Sequence, residues 1–110
     1  MERMARVRRV AAVVRSVVPL EGHPVTVELG SGTGMLARCL ADVLGPTTLL
    51  DASPAMIEVA SRALASERLE GWSAAVTDLD EGIPGGPYEL ALAQMFLHHV
   101  DDVPALLGEL

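Results

Sequence analysis

Twice in its first seventy residues the chain runs from a short β-branched segment through a turn signal into a helix. Val25-Thr26-Val27-Glu28-Leu29 leads to three glycines, Gly30, Gly32 and Gly34, alternating with Ser31 and Thr33, and helical spacing starts at Met35. Thr47-Thr48-Leu49-Leu50-Asp51 leads to Ser53, a capping residue, with Pro54 at the first helical position. Strands separated by helices cannot pair as hairpins; they pair in parallel, each helix carrying the chain back across the sheet. "GWSAAVTD" supplies a third strand and "YELALAQMF" a fourth, with the Gly- and Pro-rich "LDEGIPGGP" as a loop between them. The strands are apolar along most of their length, as strands covered on both faces are. The expected fold is therefore α/β, a doubly wound parallel sheet. Right-handed crossovers put the second strand beside the first and the third beyond it. A fourth strand on the other flank places the switch point at the carboxyl end of the first strand, where such sheets bind ligands.

Ahead of the sheet, Met4, Val7, Ala11, Val14 and Val18 recur at helical spacing, and Pro19 ends the run. Residues 1–20 are thus expected to form an amphipathic helix, and residues 21–110 the ligand-binding domain. Five of the eight arginines lie in the first fifteen residues against one acid, a charge of +4; the remainder has three arginines against fourteen acids, −11. The arginines read as a solvated face, and the acidic body disfavours nucleic acid. The single cysteine, Cys39, excludes an internal disulfide, and His23, His98 and His99 lack metal-ligand spacing, so no metal is expected. No apolar run reaches the roughly 18 residues of a membrane span, and "VAAVV" is too short for a signal-peptide core, so the expectation is a cytoplasmic chain. In the helix after the glycines, Leu36, Cys39, Leu40 and Val43 should face inward, with Arg38 and Asp42 paired outside until Gly45-Pro46 stops it. The next helix should run to about Leu69, with Glu58 and Arg62 paired. A last helix should open at Asp101 or Asp102.

The glycine turn narrows the ligand. A phosphate-binding loop needs GK[ST] where this chain has Gly34-Met35-Leu36, and the dinucleotide fingerprint needs glycine or alanine where it has Met35. Glu28, two residues before the first glycine, lies within a few ångströms of anything held there, by a reach of about 3.3 Å per residue. A carboxylate in that place repels pyrophosphate and attracts an ammonium or sulfonium. Asp51, at the end of the second strand, is placed to accept hydrogen bonds from two ribose hydroxyls. Asp78, ending the third strand, can accept from an adenine amino group, and Met56, one turn into its helix, can lie against the ring. A ligand with an amino acid, a sulfonium, a ribose and an adenine meets these demands, and S-adenosylmethionine has all four.

"VELGSGTG", "LLDASPAMIEVA", "TDLDEGIP" and "YELALAQMFLHHVDD" resemble, in order and spacing, the first four motifs of class I S-adenosylmethionine-dependent methyltransferases of the small-molecule type. The resemblance covers about residues 25 to 110 and implies a Rossmann-like fold and methyl transfer to a small-molecule acceptor. It implies that Glu28 orients the methionine amino group and that Gly30, Ser31, Gly32 and Gly34 carry the methionine moiety. Asp51 would hold the ribose. Ala52 and Met56 would border the adenine, Asp78 would take its amino group, and the Leu79 amide would meet a ring nitrogen. Gln94 would lie near the methyl donor, with His98 or His99 as base or substrate contact. The family's sheet has seven strands, and this chain supplies about four. Its fourth strand is therefore expected to offer an apolar edge to further strands, a partner chain or a second copy. Two other readings stay open at this point: a non-catalytic partner or fragment that keeps the fold, and a nicotinamide-dinucleotide-binding half-domain.

Overall fold

The computed structural model describes residues 2–17 and 21–93, with backbone only for 2–4 and 17. Helix α1 (Glu2–Val17) precedes strand β1 (Thr26–Leu29), helix α2 (Met35–Cys39), strand β2 (Thr47–Asp51), helix α3 (Pro54–Ser66), strand β3 (Ser73–Val76) and strand β4 (Leu90–Leu92). A 3-10 turn, Leu79–Glu81, lies between the last two. The sheet order is β3-β2-β1-β4, and every pair is parallel. This is the expected α/β, Rossmann-like order, with β1 between β2 and β4 at the switch point. The expected last helix, Gln94, His98 and His99 lie outside the described residues.

The sheet's two faces are covered differently. On one face Val7 and Ala11 of α1, Leu36 and Ala37 of α2, and Ala60 and Leu64 of α3 pack with Leu40, Leu44, Leu49 and Leu92. On the other, Val27, Leu29 and Leu50 are covered by Leu79, Ile83 and Tyr88 from the β3–β4 connection. Strand alternation produces this division: Glu28 and Leu49 point toward the helices, while Leu29 and Leu50 point away. Burying a leucine side chain as completely as Leu49 contributes about 1.5–3 kcal/mol.

The caps agree with the sequence. The Ser53 hydroxyl accepts from the Met56 amide at 3.3 Å, and Pro54 needs no donor at the start of α3. Helix α2 differs. Its apolar spacing continues to Val43, but the α-helix ends at Cys39, and residues 40–43 follow as turns. The expected Arg38–Asp42 pair therefore does not form. Arg38 pairs with Glu67 beyond α3, and Asp42 takes the Arg15 guanidinium at 2.8 Å, joining α1 to the end of α2. Arg15 also donates to the Cys39 carbonyl at 3.0 Å, so this arginine is an anchor rather than part of a solvated face. Glu58 and Arg62 pair as expected. Gly45 is where two backbone segments cross. Its N–H donates to the Pro24 carbonyl at 2.9 Å, and a methyl there would stand 2.3 Å from the His23 carbonyl oxygen.

Candidate functional site

The glycine turn leaves β1 at its carboxyl end. Gly30, Gly32 and Gly34 have φ of 63°, 57° and 78°, a left-handed run that side chains with a Cβ resist. The Ser31 amide donates to the Leu50 carbonyl at 2.9 Å, and the Gly34 amide to the Ser31 carbonyl at 2.9 Å. Two of the glycines serve different ends. A methyl on Gly34 would meet Leu49 Cδ1 at 2.5 Å, so this glycine lets the turn lie on β2. A methyl on Gly32 would meet nothing within 4 Å, so this one presents bare backbone to open space.

Asp51 ties that turn to the next. Its Oδ2 accepts from the Gly32 amide and its Oδ1 from the Ser53 amide, each at 2.8 Å. A carboxylate offers about four acceptor positions, so each oxygen keeps one for a ligand hydroxyl. The aspartate thus already shapes the glycine turn while facing the region where a ribose is expected.

Glu28 is 1% exposed, and it points to the helix side of the sheet, beneath the start of α2. Two other buried polar side chains on these strands, Thr26 and Thr47, are satisfied by the Pro24 and Gly45 carbonyls. Glu28 is not: among the described residues its Oε1 has no hydrogen-bond partner. Burial pushes the carboxyl from its ordinary 4.5 up to about 8; the Ala37 amide and the Arg38 charge pull the other way, and the Asp51 charge adds to the rise. At neutral pH the carboxyl is therefore largely protonated. The sequence reading of a standing negative charge behind the turn changes accordingly: this is a neutral acid that a nearby cation would ionise.

The other expected contacts gather unevenly. Ala52 is exposed, and Met56 is 41% exposed in the first turn of α3. Asp78 is exposed and caps the 3-10 turn, its Oδ1 accepting from the Asp80 amide at 2.9 Å, while Leu79 packs under the sheet. Glu28, the glycines, Asp51, Ala52 and Met56 thus meet around the ends of β1 and β2, with Asp78 and Leu79 just past β3. Two further residues belong here. Val76 stands in register with Asp51 and is 52% exposed, an apolar surface at the end of β3 beside a cleft of about 470 Å³ that Thr77, Asp78, Glu81 and Ile83 also line. Its signal in the sequence is its position, last in the strand before Thr77-Asp78. Arg38 is the other, a charge that acts on Glu28; no spacing rule links the two. A larger cleft of about 540 Å³, lined by Gly82, Tyr88 and Ala91 among others, does not include the glycine turn, and the site rests on its polar groups rather than on cavity size. Among the described residues no cluster of three or more His, Cys, Asp or Glu is placed to hold a metal, and no helix is long and apolar enough to cross a membrane.

A family model described as a methyltransferase domain matches residues 27–110. The chain belongs to this family, the class I S-adenosylmethionine-dependent methyltransferases. Solved structures share the fold. The YcgJ protein of Bacillus subtilis superposes with a TM-score of 0.77 at 17% identity, over 93% of this chain and 44% of its own. Magnesium protoporphyrin IX methyltransferase of Synechocystis PCC 6803, with bound S-adenosylmethionine, gives 0.71 at 22% identity, over 97% of this chain and 52% of its own. Coclaurine N-methyltransferase, bound to N-methylheliamine and S-adenosylhomocysteine, gives 0.70 at 15% identity, over 79% and 26%. This methyltransferase domain therefore spans from about a quarter to about half the length of these proteins. No curated protein matches it in sequence.

Proposed function

We propose that this chain holds S-adenosylmethionine on the glycine turn and forms the cofactor half of an enzyme that methylates a small-molecule acceptor. The observation that carries the reading is the buried Glu28 carboxyl, with one oxygen unpartnered, directly behind a turn of bare backbone. An orphaned acid there matches an ammonium-bearing ligand and offers a pyrophosphate no compensating positive charge, which disfavours the nicotinamide-dinucleotide alternative.

When bound, the cofactor supplies a methyl group on a sulfonium, open to in-line displacement by a nucleophile. The chain's part is to hold and orient. Glu28 would face the methionine amine, and Gly30, Ser31, Gly32 and Gly34 would let backbone approach the methionine moiety. Asp51 would receive the ribose hydroxyls on its two remaining acceptor positions. Ala52, Met56 and Val76 would give the adenine an apolar border, with Asp78 and the Leu79 amide on its edge. Gln94 would lie near the methyl donor, and His98 or His99 would meet the acceptor. Positioning of this kind can supply roughly 7–11 kcal/mol of a barrier, so a general base is optional. The small-molecule acceptor is supported by two of the relatives, one bound to N-methylheliamine and one named for magnesium protoporphyrin IX. Strand β4 pairs with β1 along one edge, and we take its other edge to receive further strands, from a longer chain, a partner or a second copy. Isothermal titration with S-adenosylhomocysteine and with NAD tests the reading. Binding of the first and not the second is expected; preferential binding of NAD would refute it.

A further inference from the structure

Glu28 is buried, and the groups known to act on it leave its charge uncompensated. Its register neighbours, Leu49 on β2 and Leu92 on β4, carry no charge. The charged groups that act on it are Arg38 from α2 and Asp51 from β2. Arg38 is committed elsewhere: its Nε donates to the Thr33 carbonyl at 3.2 Å, and its terminal nitrogen pairs with Glu67. Asp51 is held by the Gly32 and Ser53 amides. The Ala37 amide favours the ionised form, and among the described residues Oε1 has no hydrogen-bond partner. Among the described residues, no cation stands free to pair with this acid. The glycine turn that follows it in sequence, with open space over Gly32, is where one can be delivered.

Resting on the cofactor assignment above, we infer that a proton and the cofactor's ammonium compete for Glu28, so that each binding event at the glycine turn releases one proton from this carboxyl to solvent. The balance is simple. The neutral acid loses its proton to the buffer, and the carboxylate left behind faces the ammonium, so the buried site holds a compensated pair rather than a bare charge. Glu28 is then a positioning residue whose protonation sets the affinity of the site.

Calorimetric titration of the chain with S-adenosylhomocysteine in buffers of different ionisation enthalpy counts the protons. Between pH 6 and 7 the ligand's amine is protonated, so it contributes none. The expected result is a release approaching one proton per ligand and an affinity that rises up to about tenfold per pH unit in that range. Two controls isolate the residue. With Glu28→Gln, the release and the pH dependence should both disappear. With 5′-methylthioadenosine, which keeps the nucleoside and lacks the amine, the wild-type chain should bind without releasing a proton. Binding of S-adenosylhomocysteine with no proton release, or with the same release from the Gln variant, overturns this inference and leaves the cofactor assignment standing. Absence of binding overturns both.

Discussion

Glu28 makes a prediction that needs no ligand. In the unfolded chain its carboxyl titrates near 4.5; in the folded domain it holds its proton up to about 8. Between those values the folded state carries the extra proton. Stability therefore falls as pH rises across the window, by up to about 1.4 kcal/mol per unit, and levels off above it. From pH 5 to pH 7 the loss is about 2–3 kcal/mol, a large share of the stability of a small domain. Glutamine has the same shape and cannot ionise, so Glu28→Gln should remove this slope. Urea denaturation of both proteins at intervals from pH 5 to 8.5 measures it. Asp42, whose titration the Arg15 guanidinium lowers, contributes stability that is lost in acid, below the window, and is common to both proteins. Between pH 5 and pH 7.5 the difference curve should move toward the variant by about 2–4 kcal/mol. Parallel curves, or a wild-type chain that gains stability over the variant as pH rises, would refute the argument that burial controls this carboxyl.

Four further outcomes follow from the geometry. Gly34→Ala forces a methyl against Leu49 at a left-handed position and should cost about 1–3 kcal/mol in thermal or urea melts. Gly32→Ala has room and should cost only about 1–2 kcal/mol for its backbone angle, yet, on the proposed cofactor assignment, weaken S-adenosylhomocysteine at least about tenfold in calorimetry, because the methyl would occupy the space over the bare backbone. Asp51→Asn turns a donor toward the Gly32 or Ser53 amide, so it should cost about 1–3 kcal/mol in melts and reduce ligand binding as well. Leu49→Ala leaves a cavity under three helices and should cost about 2–5 kcal/mol by urea midpoint while the far-UV circular dichroism keeps its α/β form.

The parts of this fold that were legible in the sequence are those set by local chemistry. Ser53-Pro54 announces a helix start by capping and ring geometry alone, and β2 occupies the five residues that its β-branched and apolar run marks. Parallel pairing follows from the strand–helix order, and the sheet order from the handedness of its crossovers. What was hidden depends on contacts distant in sequence. The apolar spacing of α2 gives no sign that its α-helix ends at Cys39, because Leu40 and Leu44 remain buried through the turns that follow. Arg38 and Asp42 were a plausible local pair, but each meets a residue more than 25 positions away. β1 begins at Thr26 because the chain before it, left-handed at Gly22 and His23, crosses Gly45 before it can join the sheet. The site divides in the same way. The positions of Glu28, the glycines and Asp51 were legible as a motif. The protonation of Glu28 was not, since it arises from the helix packed above it.

That difference changes the physical basis of selectivity at the turn. A fixed carboxylate would attract any cation and repel any anion, at a cost that salt screening reduces. A buried acid that must first lose its proton responds differently. A ligand without a positive charge meets a carboxyl that has no reason to ionise. A pyrophosphate meets one that its own charge keeps protonated, together with the Asp51 carboxylate beside the Gly32 amide. A ligand carrying an ammonium lowers the energy of the ionised form inside a water-poor setting, where charge pairs interact more strongly than at the surface. The burial that lowers the folded domain's stability at neutral pH is thus the same feature that makes the response to a cation large. The orphaned Oε1, without a partner among the described residues, is the group that the proposed ammonium would satisfy.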